Sequence, residues 1–152
     1  MRDYPLPLPR ALLEGLPTGK ALLRGDDSHP DLWGEVLFYP WQEGALILTR
    51  VLGLPRDGLW GLQIHALGNC ATGGDVPFFC AGPVFELPGL CRALPAGLLP
   101  PLLSTGGKAF SLGYSDRFQP EQVLGRTVLL HPPVSAGDSP EGRVACGLIQ
   151  PL

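Results

Sequence analysis

The chain has 152 residues, with 11 Lys and Arg against 14 Asp and Glu, and it contains 21 glycines and 18 prolines. Its hydrophobic content of 45% argues against disorder, and its length suits one domain with one core. The basic residues do not interleave with aromatics, which argues against a nucleic-acid surface, and prolines interrupt the longest apolar stretch, which excludes a membrane helix there.

The predicted elements begin after a proline-rich arm. Residues 1–18 hold four prolines and predict an extended arm, so the domain is expected over residues 19–152. Period-two alternation bounded by Gly, Pro and Asp predicts strands at 19–24, 32–41, 44–53, 59–67, 108–115, 123–131 and 143–150. A tight turn at Gln42-Glu43-Gly44 is expected to join two of them.

Two long connections separate these strands, at residues 68–107 and 132–142. Loops of such length inside a compact domain are usually functional or cross-linked. The first is rich in leucine, and its leucines either pack on the domain or form a surface for a partner. Short strands with two long excursions predict an all-β fold, a Greek-key β-sandwich or flattened barrel of about eight strands.

Four cysteines lie at positions 70, 80, 91 and 146. No Cys-x-x-Cys pair is present, and spacing alone does not choose among the three possible pairings.

The N-terminus lacks the apolar core of a secretory signal, which predicts a cytoplasmic protein if Met1 is the true start. A trimmed secreted protein would have the same N-terminus, and free buried thiols are the default in the cytoplasm.

Three segments resemble the copper/zinc superoxide dismutases. Gly58-Leu-Trp-Gly-Leu-Gln-Ile-His-Ala-Leu-Gly68 is similar to the copper-binding strand, which in the family reads Gly-x-His-x-His-x-x-Gly. Ala81-Gly-Pro-Val-Phe85 is similar to Ala-Gly-Pro-His-Phe. Gly125-Arg-Thr-Val-Leu-Leu-His131 and Gly142-Arg-Val-Ala-Cys-Gly-Leu-Ile149 resemble the C-terminal signature, so the resemblance covers about residues 19–150.

The resemblance implies a metal site that has lost most of its ligands. His65 and His131 match two of the four copper ligands, Gln63 stands at a third, and Val84 stands at the position that bridges copper and zinc. No His or Asp lies between Val84 and Lys108, where the family has its other zinc ligands, so no zinc is expected. Copper remains the one cofactor that the resemblance leaves open.

Two interpretations of the retained histidines stay open. His65 and His131, with Gln63 nearby, could hold copper or another first-row ion, or both could be relics bonded to backbone or water. Arg143 matches the arginine that guides superoxide in the family, a catalytic role, or else it bonds loop carbonyls and holds the loop in place.

The resemblance also bears on the cysteines and on assembly. It implies a disulfide between Cys70 and Cys146, and it leaves Cys80 and Cys91 for a second, local bridge. The family often dimerises, so a homodimer stays open, and the sequence identifies no other partner.

The expected function is that of a superoxide dismutase-like protein that is not a conventional dismutase. It would be a binding or structural module or a weak metal binder. The alternative is a copper-only or other-metal superoxide dismutase, an oxidoreductase that uses His65 and His131. Whether the chain is an enzyme is left open, and a weak or absent activity is favoured.

Overall fold

A computed structural model describes residue 12 and residues 14–72, 74–89, 93–133 and 142–152. It forms a closed antiparallel barrel in which the strands follow the order β1-β2-β3-β6-β5-β4-β7-β8. The strands are β1 (Gly19–Gly25), β2 (Trp33–Trp41), β3 (Gly44–Leu52), β4 (Gly58–His65), β5 (Leu102–Thr105), β6 (Lys108–Ser115), β7 (Thr127–His131) and β8 (Ala145–Pro151). The predicted all-β fold of about eight strands is therefore confirmed. None of the helices in the described ranges is long and apolar enough to span a membrane.

Alternation along the strands sends one set of side chains into the barrel. On β1, Ala21 and Leu23 are fully buried while Leu22, between them, is half exposed. A strand points successive side chains to opposite faces, so each strand contributes every second residue to the core. The largest buried side chains include Trp60, Phe38, Phe85 and Phe118.

The turn between β2 and β3 is a two-residue hairpin. Trp41 pairs with Gly44, and Gln42 adopts the left-handed conformation with φ of 51°. The predicted tight turn is confirmed, and it fixes which face of both strands points inward.

The strand predictions fail at two places. β5 lies inside the stretch read as a long connection, because Leu102-Leu-Ser-Thr105 is short and follows two prolines. β7 begins at Thr127 rather than at residue 123, because Pro120–Val123 forms a short helix, α1. Pro120 suits the first turn of a helix, and Gln119 and Gln122 form a capping box there.

Backbone bonds and side-chain packing hold the long connection before β5 against the barrel. Phe85 and Gly97 bond to the backbone of Ile64 on β4, and the Phe85 side chain is buried. Of the leucines in this connection, Leu99 and Leu102 are buried, Leu87 and Leu98 are partly buried, and Leu94 and Leu103 are exposed. Leu90 lies outside the described residues. Packing on the barrel is therefore the outcome for four of the six described leucines.

Candidate functional site

Strands β4 and β7 bring together His65 and His131, the two histidines of the sequence motifs. In the β4–β7 register His131 pairs with Gly61 and Leu129 pairs with Gln63. The ring centroids of His65 and His131 lie 5.7 Å apart, with 24° between the ring planes. The strand pairing therefore brings the two rings to a common space, which the sequence alone left open.

The His65 ring is held by the loop that crosses β4. Its Nδ1 lies 2.7 Å from the carbonyl oxygen of Gly82, and its Nε2 lies 3.3 Å from Oε1 of Gln63. A carbonyl can only accept, so the neutral ring carries its proton on Nδ1 and directs the Nε2 lone pair towards Gln63. Burial lowers the pKa of His65, the Gly82 hydrogen bond partly opposes this, and the Arg143 charge lowers the pKa further.

His131 is buried without a polar partner. Its side chain is 9% exposed, and neither ring nitrogen has a hydrogen-bond partner within the described ranges. Burial first, and then His65 and Arg143, lower its pKa to about 4, while the nearby Gly142 backbone opposes the shift without reaching good hydrogen-bond geometry. His131 is therefore neutral at physiological pH.

Arg143 joins the start of the last strand to the long connection. Its guanidinium donates to the carbonyl of Phe78 at 2.8 Å and to that of Gly82 at 3.2 Å. Gly82 thus accepts from both His65 and Arg143. These contacts match the loop-holding interpretation of Arg143. Its role in guiding an anion stays a prediction, since the same side chain also lines the cleft beside the histidines.

One comparison with solved structures agrees with this eight-stranded antiparallel barrel. The solved copper/zinc superoxide dismutase from Brucella abortus superposes with a TM-score of 0.69 over 85% of this chain and 97% of that chain, at 20% identity. The fold is that of a copper/zinc superoxide dismutase. No family model and no curated protein matches the sequence.

The donors of this superoxide dismutase-like barrel do not fit a resident copper and zinc pair. Val84 forms a β-bridge with His65 on β4 and lines the same cleft, so it brings hydrocarbon rather than a donor atom to the site. Two imidazoles and one amide oxygen are fewer and weaker donors than redox copper sites use. In the described part of the chain no group of three or more His, Cys, Asp or Glu side chains could hold a metal ion.

What remains is a cleft of about 370 Å³ with a polar floor and apolar walls. Gln63, His65, His131 and Arg143 line it together with Val84 and three loop residues, Val76, Phe79 and Pro83. Val76 and Phe79 are 44% and 70% exposed and stand at the solvent side. Pro83 belongs to the Ala81–Phe85 motif, but Val76 and Phe79 were not predicted from the sequence. Their only signal was an apolar pair, Phe78-Phe79, in a stretch rich in Gly and Pro.

Two of the four cysteines form a disulfide, and Cys80 carries a free thiol. Cys70 and Cys146 form the expected disulfide, across a sequence separation of 76. Buried Phe78 and Ala81 pack beside it, so the bridge fixes the segment that supplies the Phe78 and Gly82 carbonyls. Cys80 carries an exposed free thiol. Cys91 lies outside the described residues, so the second disulfide stays a prediction.

Proposed function

We propose that this chain is a superoxide dismutase-like protein that is not a conventional dismutase and acts as a binding or structural module, with at most weak affinity for metal. The pairing of His65 with Val84 carries the proposal, because valine offers no donor atom at the position where the family shares a ligand between its two metals.

The hydrogen bonds around the cleft support the same conclusion. His65 and Arg143 both bond the Gly82 carbonyl, so the cleft walls are held in place by the protein's own groups. A module of this kind keeps the shape of the dismutase cleft without needing a metal to order it. Its cleft would accept a small polar molecule that donates a hydrogen bond to the unpartnered ring of His131.

A metal and activity assay tests the proposal. Protein purified without chelator is analysed for copper and zinc, then loaded with copper, dialysed and assayed for superoxide consumption. We expect far less than one metal per chain, no superoxide consumption above that of an equally loaded unrelated protein, and an unchanged melting temperature on adding copper. Stoichiometric copper with fast turnover would overturn the proposal.

A second candidate is a copper-only or other-metal superoxide dismutase built on His65 and His131. One observation favours it: the His65 Nε2 lone pair, the Gln63 oxygen and the lone pair on one ring nitrogen of His131 are acceptors that line one cleft. A cation would satisfy them together. This candidate predicts copper that survives dialysis and a superoxide-consuming activity that His131→Ala abolishes.

The control for that variant is His29→Ala. His29 lies in a turn outside the cleft, where its Nδ1 is 2.7 Å from Oδ1 of Asp26. The second candidate requires activity to survive His29→Ala, whereas adventitious surface copper would respond to both substitutions.

A further inference from the structure

The cleft beside His131 has the size and the lining of a small-molecule site. Its volume is about 370 Å³, and its lining combines apolar side chains with a few polar ones. Ligand pockets in proteins are usually about 300–1,000 Å³ and are lined in this way, with the polar groups orienting the ligand. A water molecule occupies only about 30 Å³, so this cleft is large enough for an organic molecule with one ring.

His131 is the polar group that a ligand in this cleft would satisfy. Its side chain is 9% exposed, and neither ring nitrogen has a hydrogen-bond partner within the described part of the chain. A neutral imidazole has one N–H and one lone pair. Because no described group fixes which nitrogen carries the proton, the ring can present its lone pair to the cleft, where a hydroxyl group would donate to it.

The charge around the cleft favours a neutral ligand over an ion. Among the described residues that line the cleft, Arg143 is the one with a charged side chain. Its guanidinium repels an ammonium group, and it already donates to the carbonyls of Phe78 and Gly82. A carboxylate has only acceptors, so it would leave the His131 lone pair without a hydrogen bond.

The walls of the cleft are hydrocarbon, and one of them is an exposed aromatic ring. Val84 is half-buried in the wall, whereas Phe79 is 70% exposed at the solvent side. Phe78 is buried in the left-handed conformation, with φ of 58°, which is unfavourable for a bulky residue. Arg143 donates to its carbonyl at 2.8 Å and so holds the segment that presents Phe79. A flat apolar ligand would pack against that ring.

We propose that the cleft binds a small neutral aromatic alcohol, of the phenol class. Its O–H donates to the lone pair of His131, and its ring packs against Val84 and Phe79. This inference rests on the proposed function, because it assigns a class of ligand to the cleft of the binding module and needs no metal there.

Titration by heteronuclear NMR, with chelator present, tests the inference with two probes. We expect 4-methylphenol to bind at a single site and to shift the resonances of β4, of residues 78–84 and of Arg143. The ether 4-methylanisole has the same ring but no O–H. It should bind about tenfold more weakly, the effect of losing one hydrogen bond to a buried group.

Two variants separate the hydrogen bond from the wall contact. His131→Leu should abolish the preference for 4-methylphenol over 4-methylanisole, an effect that a merely structural change would not produce. Phe79→Ala should weaken both probes about threefold, through the lost ring contact. Phe110→Ala is its matched control and should change neither affinity, since Phe110 is 67% exposed on β6, which pairs with neither β4 nor β7. Circular dichroism checks that all three variants fold.

Several outcomes overturn the inference. These are equal affinities of the wild type for the two probes, a preference that survives His131→Leu, or equal effects of Phe79→Ala and Phe110→Ala. Absence of saturable binding does so too, because water alone would then satisfy His131. Tighter binding of 4-methylbenzoate or benzylamine than of 4-methylphenol would show the class of ligand to be wrong. The proposed function fails on a different result, stoichiometric copper with fast turnover in the metal assay.

Discussion

Single residues decide the chemistry of the cleft. By the sequence resemblance, Gln63, His65 and His131 match three copper-ligand positions, and the barrel brings these three side chains to one cleft, yet Gln63 offers an amide and Val84 offers no donor. A fold does not by itself set an activity, because donor atoms rather than backbone shape bind a metal.

Restoring the missing donors should create a metal site. In the double variant Gln63→His and Val84→His, four imidazoles would face one space, and imidazole binds first-row ions far better than amide or hydrocarbon. We expect copper retention after dialysis to rise from well below one to about one per chain. The measurement is metal analysis by mass spectrometry, with superoxide consumption as a second readout.

The control for that experiment is Gln63→Asn with Val84→Ile. These changes keep the amide and hydrocarbon character of the two positions, so copper retention should stay low. Equal copper in the histidine variant and in this control would contradict the argument that donor number limits binding.

His131 should make stability depend on pH. Its folded pKa is about 4 against an ordinary 6.5, so the unfolded chain binds a proton between these values while the folded chain does not. The free energy of unfolding should therefore fall as pH decreases from about 6.5 to about 4 and then level off, by an amount on the order of 2–3 kcal/mol.

Urea unfolding at several pH values, with chelator present, measures this effect. The difference between wild type and His131→Gln reports the titration of His131 together with its coupling to His65, because the remaining titrating groups are shared. A difference that does not change between pH 6.5 and 4 would show that His131 does not carry the depressed pKa.

At the scale of elements, inward and outward alternation determines which positions tolerate change. On β4, Leu62 is 1% exposed and Leu59 is 57% exposed, although both are leucines on one strand. Truncating the buried leucine should therefore cost more unfolding free energy than truncating the exposed one, since removing packed methyl groups loses transfer free energy and leaves a cavity.

We expect Leu62→Ala to lower the free energy of unfolding by about 2–5 kcal/mol. Leu59→Ala should change it by no more than about 0.5 kcal/mol, since an exposed side chain loses little on truncation. Denaturant unfolding of both variants checks the contrast. If the two variants lost similar amounts of unfolding free energy, the assignment of Leu62 to the inner face of β4 and Leu59 to its outer face would be wrong.

At the scale of the whole molecule, the Cys70–Cys146 disulfide joins the long connection to β8. It closes a large loop in the unfolded chain and sits beside the segment whose carbonyls bind His65 and Arg143. The order of the cleft and the stability of the barrel therefore depend on one covalent bond.

Replacing Cys70 and Cys146 by alanine should lower the free energy of unfolding by about 2–5 kcal/mol. Hydrogen exchange of the backbone from Phe78 to Gly82 should rise more than that of β2 and β3, because the segment loses its anchor. Cys80→Ser is the control, and because that thiol is exposed it should change neither measurement. If hydrogen exchange in the double variant rose equally in the Phe78–Gly82 segment and in β2 and β3, the disulfide would not be what orders the cleft.

The residue pattern by itself determined the all-β class and seven of the eight strands in outline, because alternation is local in the chain and can be read without coordinates. The disulfide between Cys70 and Cys146 was implied by the family resemblance of the motifs, whereas the strand pairing decided that His65 and His131 face each other. The start of β7 and the existence of β5 escaped because short elements gain their stability from neighbours rather than from their own residues.

Only the tertiary structure decided the contacts between residues far apart in the chain. Two such features are the Gly82 carbonyl that binds both His65 and Arg143 and the loop residues Val76 and Phe79 beside them, and both arise from strand order and register. Their physical basis is that a closed barrel brings together backbone groups and side chains whose separation in sequence carries no local signal.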